Sequence, residues 1–170
     1  MTRDVSDTDA FDAFYRASQQ RLYACVYALT GNAAEAQDVI HEAYARAWQR
    51  WSTVSEYADP EAWVRTVARR IAVSRWRRTR NRLVAHRRHG PPPAVPGPGP
   101  GHVALVAALA RLPVEQRVAI VLYHLCDLSV ADVAQETGVP VGTVKARLSR
   151  GRRALAILLS RSVAEDSHVN

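Results

Sequence analysis

Apolar residues recur along this chain at intervals of three and four, and no stretch alternates with a period of two. Phe11, Phe14, Leu22, Cys25, Val26 and Leu29 form one such line. They predict a helix that closes at Gly31, a residue suited to stopping one. Asn32, with Glu35 three positions on, reads as a capping box that opens a second helix, whose apolar line is Ala36, Val39, Ile40, Ala43, Ala47, Trp48 and Trp51. A polar stretch from Ser52 to Ala58 follows. Asp59-Pro60-Glu61 then supplies a cap, a proline at the first helical position and an acid in the first turn. The third helix turns Trp63, Val64, Val67, Ala68, Ile71 and Ala72 inward, so its arginines are expected to face out. These elements form an all-α bundle ending in a basic helix.

A second helical module begins with a helix to about Leu112, and Pro113 opens the next, which carries Val118, Val121, Leu122 and Leu125. Ser129 with Asp132 marks another helix start, and Thr137-Gly138-Val139-Pro140 ends that short helix in a turn. Gly142-Thr143 then leads into Val144, Leu148, Leu155 and Leu158 on one face, with Lys145, Arg147, Arg150, Arg152 and Arg153 around the rest. A short helix, a glycine turn and a basic helix make a helix-turn-helix, whose second helix fits the major groove of DNA. The plainer alternative is a helical hairpin with a charged rim.

Between the modules, ten of the 17 proline and glycine residues fall within Gly90–Gly101. This composition opposes both helix and sheet and predicts an extended spacer. The expected organisation is two small helical domains, 1–88 and 103–161, a flexible Pro/Gly-rich linker over 89–102, and a tail over 162–170.

Charge separates the same segments. The 170 residues carry a net +7, yet residues 1–64 hold ten acids against five arginines, and residues 65–90 hold ten arginines and no acid. Residues 145–161 add six bases, again without an acid. Two acid-free blocks in one small chain point to a polyanion, foremost nucleic acid. No apolar run reaches the ~20 residues of a membrane-spanning helix. The aspartate-rich start lacks an apolar signal core, which favours a cytoplasmic protein. Cys25 and Cys126 are far apart in sequence, each within an apolar helical pattern, and are expected to be separate buried thiols rather than a disulfide or zinc site.

Three segments in order carry a family resemblance: TGNAAEAQDVIHEAYARAWQRW, DPEAWVRTVARRIAVSRWRR and ALARLPVEQRVAIVLYHLCDLSVADVAQETGVPVGTVKARLSRGRRAL. Over about residues 9–160 the chain resembles the extracytoplasmic-function (ECF) group of sigma-70 RNA polymerase sigma factors. The Trp-Arg-Arg before the linker is similar to the actinobacterial SigE-like subgroup. The resemblance implies a region 2 helical bundle that binds core polymerase and melts the minus-ten element. It also implies a region 4 helix-turn-helix that reads the minus-thirty-five element.

The resemblance further implies site residues. Asp38, His41, Glu42 and Arg46 would dock on the clamp helices of the polymerase's largest subunit, with the flap as a second contact. Tyr57, Trp63, Arg65, Arg69, Arg70, Arg75, Trp76, Arg77 and Arg78 would hold and open the minus-ten strand, the aromatic rings stacking on bases and the arginines gripping the backbone. Trp51 and Trp63 sit in the apolar line, so core packing competes with base contact there. In the second module the implied contacts are Thr143, Lys145, Ala146, Arg147, Ser149, Arg150 and Arg152. Arg150 is the foremost candidate for base readout, and Arg147 and Arg152 are phosphate candidates. His41, Arg70 and Ser74 depart from the family's usual glutamine, asparagine and aspartate.

The six histidines form no metal-ligand spacing, and no phosphate loop, nucleophile elbow or carboxylate cluster occurs. The expectation is a non-enzymatic subunit without cofactor or metal, whose partners are core polymerase, promoter DNA and an anti-sigma protein. The rival reading is a stand-alone helix-turn-helix regulator. A nuclease or recombinase would need carboxylates beside the arginines of 65–90, and there are none.

Overall fold

The computed structural model describes residues 5–85 and 100–166, and among them every regular element is a helix. Helices α1 (Val5–Thr30), α2 (Ala33–Gln49), α3 (Trp51–Val54) and α4 (Pro60–Ala85) form the first module. Helices α5 (Pro100–Ala110), α6 (Val114–His124), α7 (Val130–Thr137) and α8 (Val141–Asp166) form the second. Most of the expected linker lies outside the described residues. Its last residues do not: Pro100 opens α5, because proline at a first helical position gives up no intrahelical bond.

Local chemistry sets most helix ends. Gly31 sits at φ 71° and donates its N–H to the Tyr27 carbonyl at 2.8 Å, closing α1 in a left-handed residue. The Asn32 Oδ1 accepts the Glu35 N–H at 2.9 Å and starts α2. The polar stretch after Trp51 is not wholly loop. A single turn, α3, buries Trp51 and Val54, and the Val54 and Ser55 N–H groups donate to the carbonyls of Arg50 and Trp51. The Asp59 Oδ1 then accepts the Ala62 N–H at 2.9 Å at the start of α4.

Two cores result. The first joins Leu22 and Val26 of α1, Val39, Ile40 and Ala43 of α2, and Val64 and Ala68 of α4, with Val106 of α5 closing one side. At its edge the buried Ser18 hydroxyl donates to the Phe14 carbonyl at 2.7 Å and shares a 2.7 Å hydrogen bond with the Tyr44 hydroxyl. Burial pushes the Tyr44 phenol up to about 12.

The second core crosses between modules. Cys25, Ala28 and Leu29 of α1 pack with Leu109, Leu112, Val118, Val121, Leu122, Val133, Val144 and Leu148, and Val73 and Trp76 of α4 lie against them. The last two turns of α1 are therefore apolar nearly all round, one side facing each core. The modules do not stand apart as the linker suggested; they close on each other. Arg117, 2% exposed, ties the junction. Its Nη1–H donates to the Leu29 carbonyl at 2.7 Å, and Nη2–H to the carbonyls of Ala110 at 2.8 Å and Leu112 at 3.2 Å. One guanidinium thus serves carbonyls left over at the ends of two helices.

Candidate nucleic-acid interface

The helix-turn-helix is built from short-range chemistry. The Ser129 Oγ accepts the Asp132 N–H at 3.1 Å and the Asp132 carboxylate accepts the Ser129 N–H at 3.3 Å, a complete capping box for α7. Gly138 ends α7 at φ 70°, and its N–H donates to the Ala134 carbonyl at 2.9 Å. The Pro140 carbonyl then receives the N–H groups of Thr143 and Val144, starting α8. Val133 of α7 and Val144 and Leu148 of α8 are buried, which fixes the orientation of α8.

With that side of α8 inward, Lys145, Ser149, Arg150 and Arg153 lie exposed at three- and four-residue spacings on one outward face, and Thr143, Ala146 and Arg147 are half-buried beside them. Arg152 is exposed but engaged. Its Nε–H donates to His124 Nε2 at 3.1 Å, and its guanidinium lies 5.2 Å from the centre of the Tyr123 ring. Burial, and then the neighbouring Arg152 charge, hold the His124 imidazole below its ordinary range, consistent with a neutral acceptor.

The arginines of α4 from Arg65 to Arg78 divide into three groups. Arg65 and Arg69 do not face solvent, as their sequence pattern suggested. Their side chains are 12% and 13% exposed and meet Glu136 of α7, itself 7% exposed. The Arg65 Nε–H donates to Glu136 Oε2 at 3.1 Å, and the Arg69 Nη2–H donates to the Glu136 backbone carbonyl at 2.8 Å. Arg69 Nε stands 3.5 Å from Glu136 Oε1 as an ion pair without hydrogen-bond geometry, and neither atom has another partner. Burial draws the Arg69 guanidinium below its ordinary range, against the pull of Glu136. Arg75 and Arg77 face acids: Arg75 donates to Glu42 Oε2 at 2.7 Å, and Arg77 lies 4.0 Å from Glu115. Arg70 and Arg78 are exposed and have no ion-pair partner among the described residues.

Of the four aromatic candidates, Tyr57 presents an exposed ring, at 46%. Trp51 is buried, Trp63 packs on the first core, and Trp76 packs on the second with the Arg117 guanidinium 5.9 Å from its ring.

The α2 surface is a third patch. Asp38, His41 and Arg46 are exposed, the Gln37 amide hydrogen-bonds the His41 ring at 3.0 Å, and Glu42 Oε1 accepts from Arg46 at 2.6 Å. Beside them Phe11, Tyr15, Tyr44 and Trp48 line an open groove of about 340 Å³. The amphipathic pattern placed Phe11 and Trp48 inward, left Tyr15 and Tyr44 unassigned, and gave no sign of the groove, which lies between α1 and α2. Glu136 also escaped the sequence reading, since an acid near the end of a short helix looks solvated. Among the described residues no cluster of histidine, cysteine and acids has the makings of a metal site, and no helix is long and apolar enough to cross a membrane.

Two family models match the chain: sigma-70 region 2 over residues 14–82 and sigma-70 region 4 over residues 102–155. The ECF RNA polymerase sigma factor SigL of Mycobacterium tuberculosis is 34% identical, covering 86% of this chain and 87% of its own length. SigM of the same organism is 30% identical over 91% of this chain and 80% of its own. Neither carries the SigE name that the Trp-Arg-Arg motif suggested. Among solved structures, the Bartonella quintana sigma factor RpoE, crystallised with the anti-sigma factor NepR, is 25% identical with a TM-score of 0.72, covering 89% of this chain and 97% of that one. With both regions present in order and relatives matched over nearly their full length, the chain belongs to the ECF RNA polymerase sigma factors.

Proposed function

We propose that this sigma factor works as a two-armed specificity subunit whose described arrangement is its resting form. The α2 patch of Asp38, His41, Glu42 and Arg46, with the groove beside it, takes the clamp helices of core RNA polymerase, and the flap takes the second module. The acidic edge and apolar groove suit a helical, arginine-bearing partner. In the second module α8 enters the major groove at the minus-thirty-five element. Arg150 and Lys145 read guanines, and Arg147 and Arg152 hold phosphates. Arg70, Arg77 and Arg78, with Tyr57, engage the minus-ten strand. Residues 1–88 act as region 2 and 103–161 as region 4. The protein acts in the cytoplasm, lends specificity to an enzyme without performing catalysis, and is open to capture by an anti-sigma protein, as RpoE is by NepR.

The observation that carries this reading is the basic, solvent-facing side of α8, held rigid behind a fully capped α7. The resting-form argument is one of length. Promoter elements some 25 base pairs apart lie ~85 Å apart along B-form DNA, at 3.4 Å per step. Modules that share a core cannot reach both. The connection from residue 85 to residue 100 allows at most ~50 Å of separation between its ends, which, added to the modules' own extent, is on the scale required. On opening, Arg65 and Arg69 leave Glu136 and join the strand-binding set.

The test is reconstitution: the purified chain mixed with sigma-free actinobacterial core polymerase and genomic DNA fragments. A stable complex giving discrete run-off transcripts supports the reading. DNA binding with no polymerase binding replaces it with a stand-alone regulator.

A further inference from the structure

The two cysteines of the chain, 101 positions apart in sequence, bring their sulfur atoms to 2.6 Å at the junction of the modules. The separate buried thiols expected from sequence are instead a facing pair. Cys25 projects from α1 of the first module. Cys126 lies on the turn that follows α6 of the second, and that turn is firmly set. The N–H groups of Leu125 and Cys126 both donate to the Val121 carbonyl, the Leu128 N–H donates to the Leu122 carbonyl at 3.1 Å, and Asp127 takes a left-handed φ of 55°. Cys25 is 5% exposed and Cys126 half-buried, yet both line a cavity of about 170 Å³ together with Arg21, Glu61, Arg65 and Asp127. A water molecule occupies about 30 Å³, so a small peroxide has room to reach the sulfurs.

We propose that Cys25 and Cys126 are a peroxide-oxidised thiol pair whose disulfide latches the two modules in the closed arrangement. The sulfurs need only close to the ~2.05 Å of a disulfide bond. Their environments differ in the sense the chemistry requires. The Cys126 S–H donates to the Cys25 sulfur, and against the opposing effect of burial this hydrogen bond and the Arg65 charge hold the Cys25 thiol below its ordinary range. Cys126, as the donor and under burial, is pushed up. Cys25 is therefore the attacking thiolate and Cys126 the resolving thiol.

In the first step the Cys25 thiolate attacks one oxygen of hydrogen peroxide. The O–O bond breaks, hydroxide leaves and takes up the proton given up by Cys25, and a sulfenic acid remains. In the second step the Cys126 sulfur attacks the Cys25 sulfur, the S–O bond breaks, and the departing hydroxide takes the Cys126 proton. Two thiols and one peroxide become one disulfide and two waters, with two electrons passing from sulfur to oxygen. Reversal requires a dithiol reductant, the usual fate of a cytosolic regulatory disulfide.

The latch rests on the reading that the modules separate to engage a promoter. Its position favours that role, because Arg65 lines the same cavity and also grips Glu136 across the junction. A covalent bond there fixes the contact that must open.

The experiment uses the full chain, reduced and then treated with hydrogen peroxide. Intact mass and non-reducing peptide maps should show a monomer lacking two hydrogens, with the peptide bearing Cys25 joined to that bearing Cys126 and released by dithiothreitol. Run-off transcription with core polymerase should be lost on oxidation and regained on reduction, while Cys126→Ser under the same peroxide keeps its activity. The wild-type comparison with and without dithiothreitol needs no variant to fold. Intermolecular dimers, sulfinic acid without a link, or a link that leaves transcription unchanged would each overturn the proposal. Failure of the reduced chain to bind polymerase would instead overturn the functional reading, and the latch with it, while the peptide map still decides the bond.

Discussion

The Arg65 Nε–H donates to the Glu136 carboxylate at 3.1 Å, joining a helix of the first module to a helix of the second across 71 positions of sequence. Arg69 adds a second buried cation with imperfect geometry, its Nε and Glu136 Oε1 left without hydrogen bonds. Buried ion pairs recover little net stability after desolvation, but removing one partner strands the other, at a cost of ~3–5 kcal/mol. In Glu136→Gln the stranded arginines escape by moving into water, so the closed arrangement gives way. Small-angle scattering should show a larger radius of gyration for Glu136→Gln than for wild type, with tighter promoter binding. An unchanged radius would mean that the shared apolar core alone holds the modules together.

Arg117 offers a different kind of test, because its partners are carbonyls rather than an acid. Burial draws its guanidinium below the ordinary range, with Glu35 partly offsetting this. Arg117→Met keeps the volume but leaves the carbonyls of Leu29, Ala110 and Leu112 without this donor. At about 1 kcal/mol for each hydrogen bond lost, urea denaturation should show a loss of roughly 3 kcal/mol. Arg117→Lys should fall between, since one ammonium cannot fork to three acceptors in a fixed plane. A midpoint unchanged in Arg117→Met would show that these carbonyls find other donors.

Features set by neighbours in sequence were legible before the structure. The Ser129–Asp132 box, the left-handed Gly138 and the buried line of Val144 and Leu148 together dictate the exposed face of α8, and each lies within a turn or two of the next. The closure of the modules was not legible, because it depends on pairs 67 to 101 positions apart whose members look ordinary on their own helices. Glu136 looks like a surface acid, and Arg117 ends the polar triplet Glu115-Gln116-Arg117 as a solvated residue would. One signal was available. Leu22, Cys25, Val26, Ala28 and Leu29 surround α1, and a single core cannot cover both sides of a helix.

Readout and grip lie on different helices, α8 and α4. Arg150 is positioned to meet a base edge, so Arg150→Ala should lose ~1–3 kcal/mol of discrimination at one base pair of the minus-thirty-five element and little elsewhere. Arg77 is exposed on α4 near Glu115, and Arg77→Ala should weaken opening at all promoters and lower the salt slope by about one unit. Competition binding across a library of single-base promoter variants checks both. An equal loss at every base for Arg150→Ala would reassign it to phosphate contact.

His124 makes the stability of the second module sensitive to acid. Its imidazole accepts the Arg152 Nε–H at 3.1 Å, and burial and the Arg152 charge both hold its folded-state pKa below the ordinary 6.5. The unfolded chain, without these neighbours, binds the proton more readily. The contribution to stability is therefore complete above the unfolded value and is lost as pH falls through the lower folded value. Thermal melting of wild type should drop more steeply from about pH 7.5 to about pH 5.5 than melting of His124→Gln, whose amide does not titrate there. Because Arg152 is one of the phosphate candidates, DNA affinity supplies the second readout. Protonation of His124 abolishes the acceptor and frees the Arg152 guanidinium, so wild-type binding should tighten over that interval relative to His124→Gln. Parallel melting and binding curves for the two proteins would show that the Arg152 contact does not control the protonation of His124.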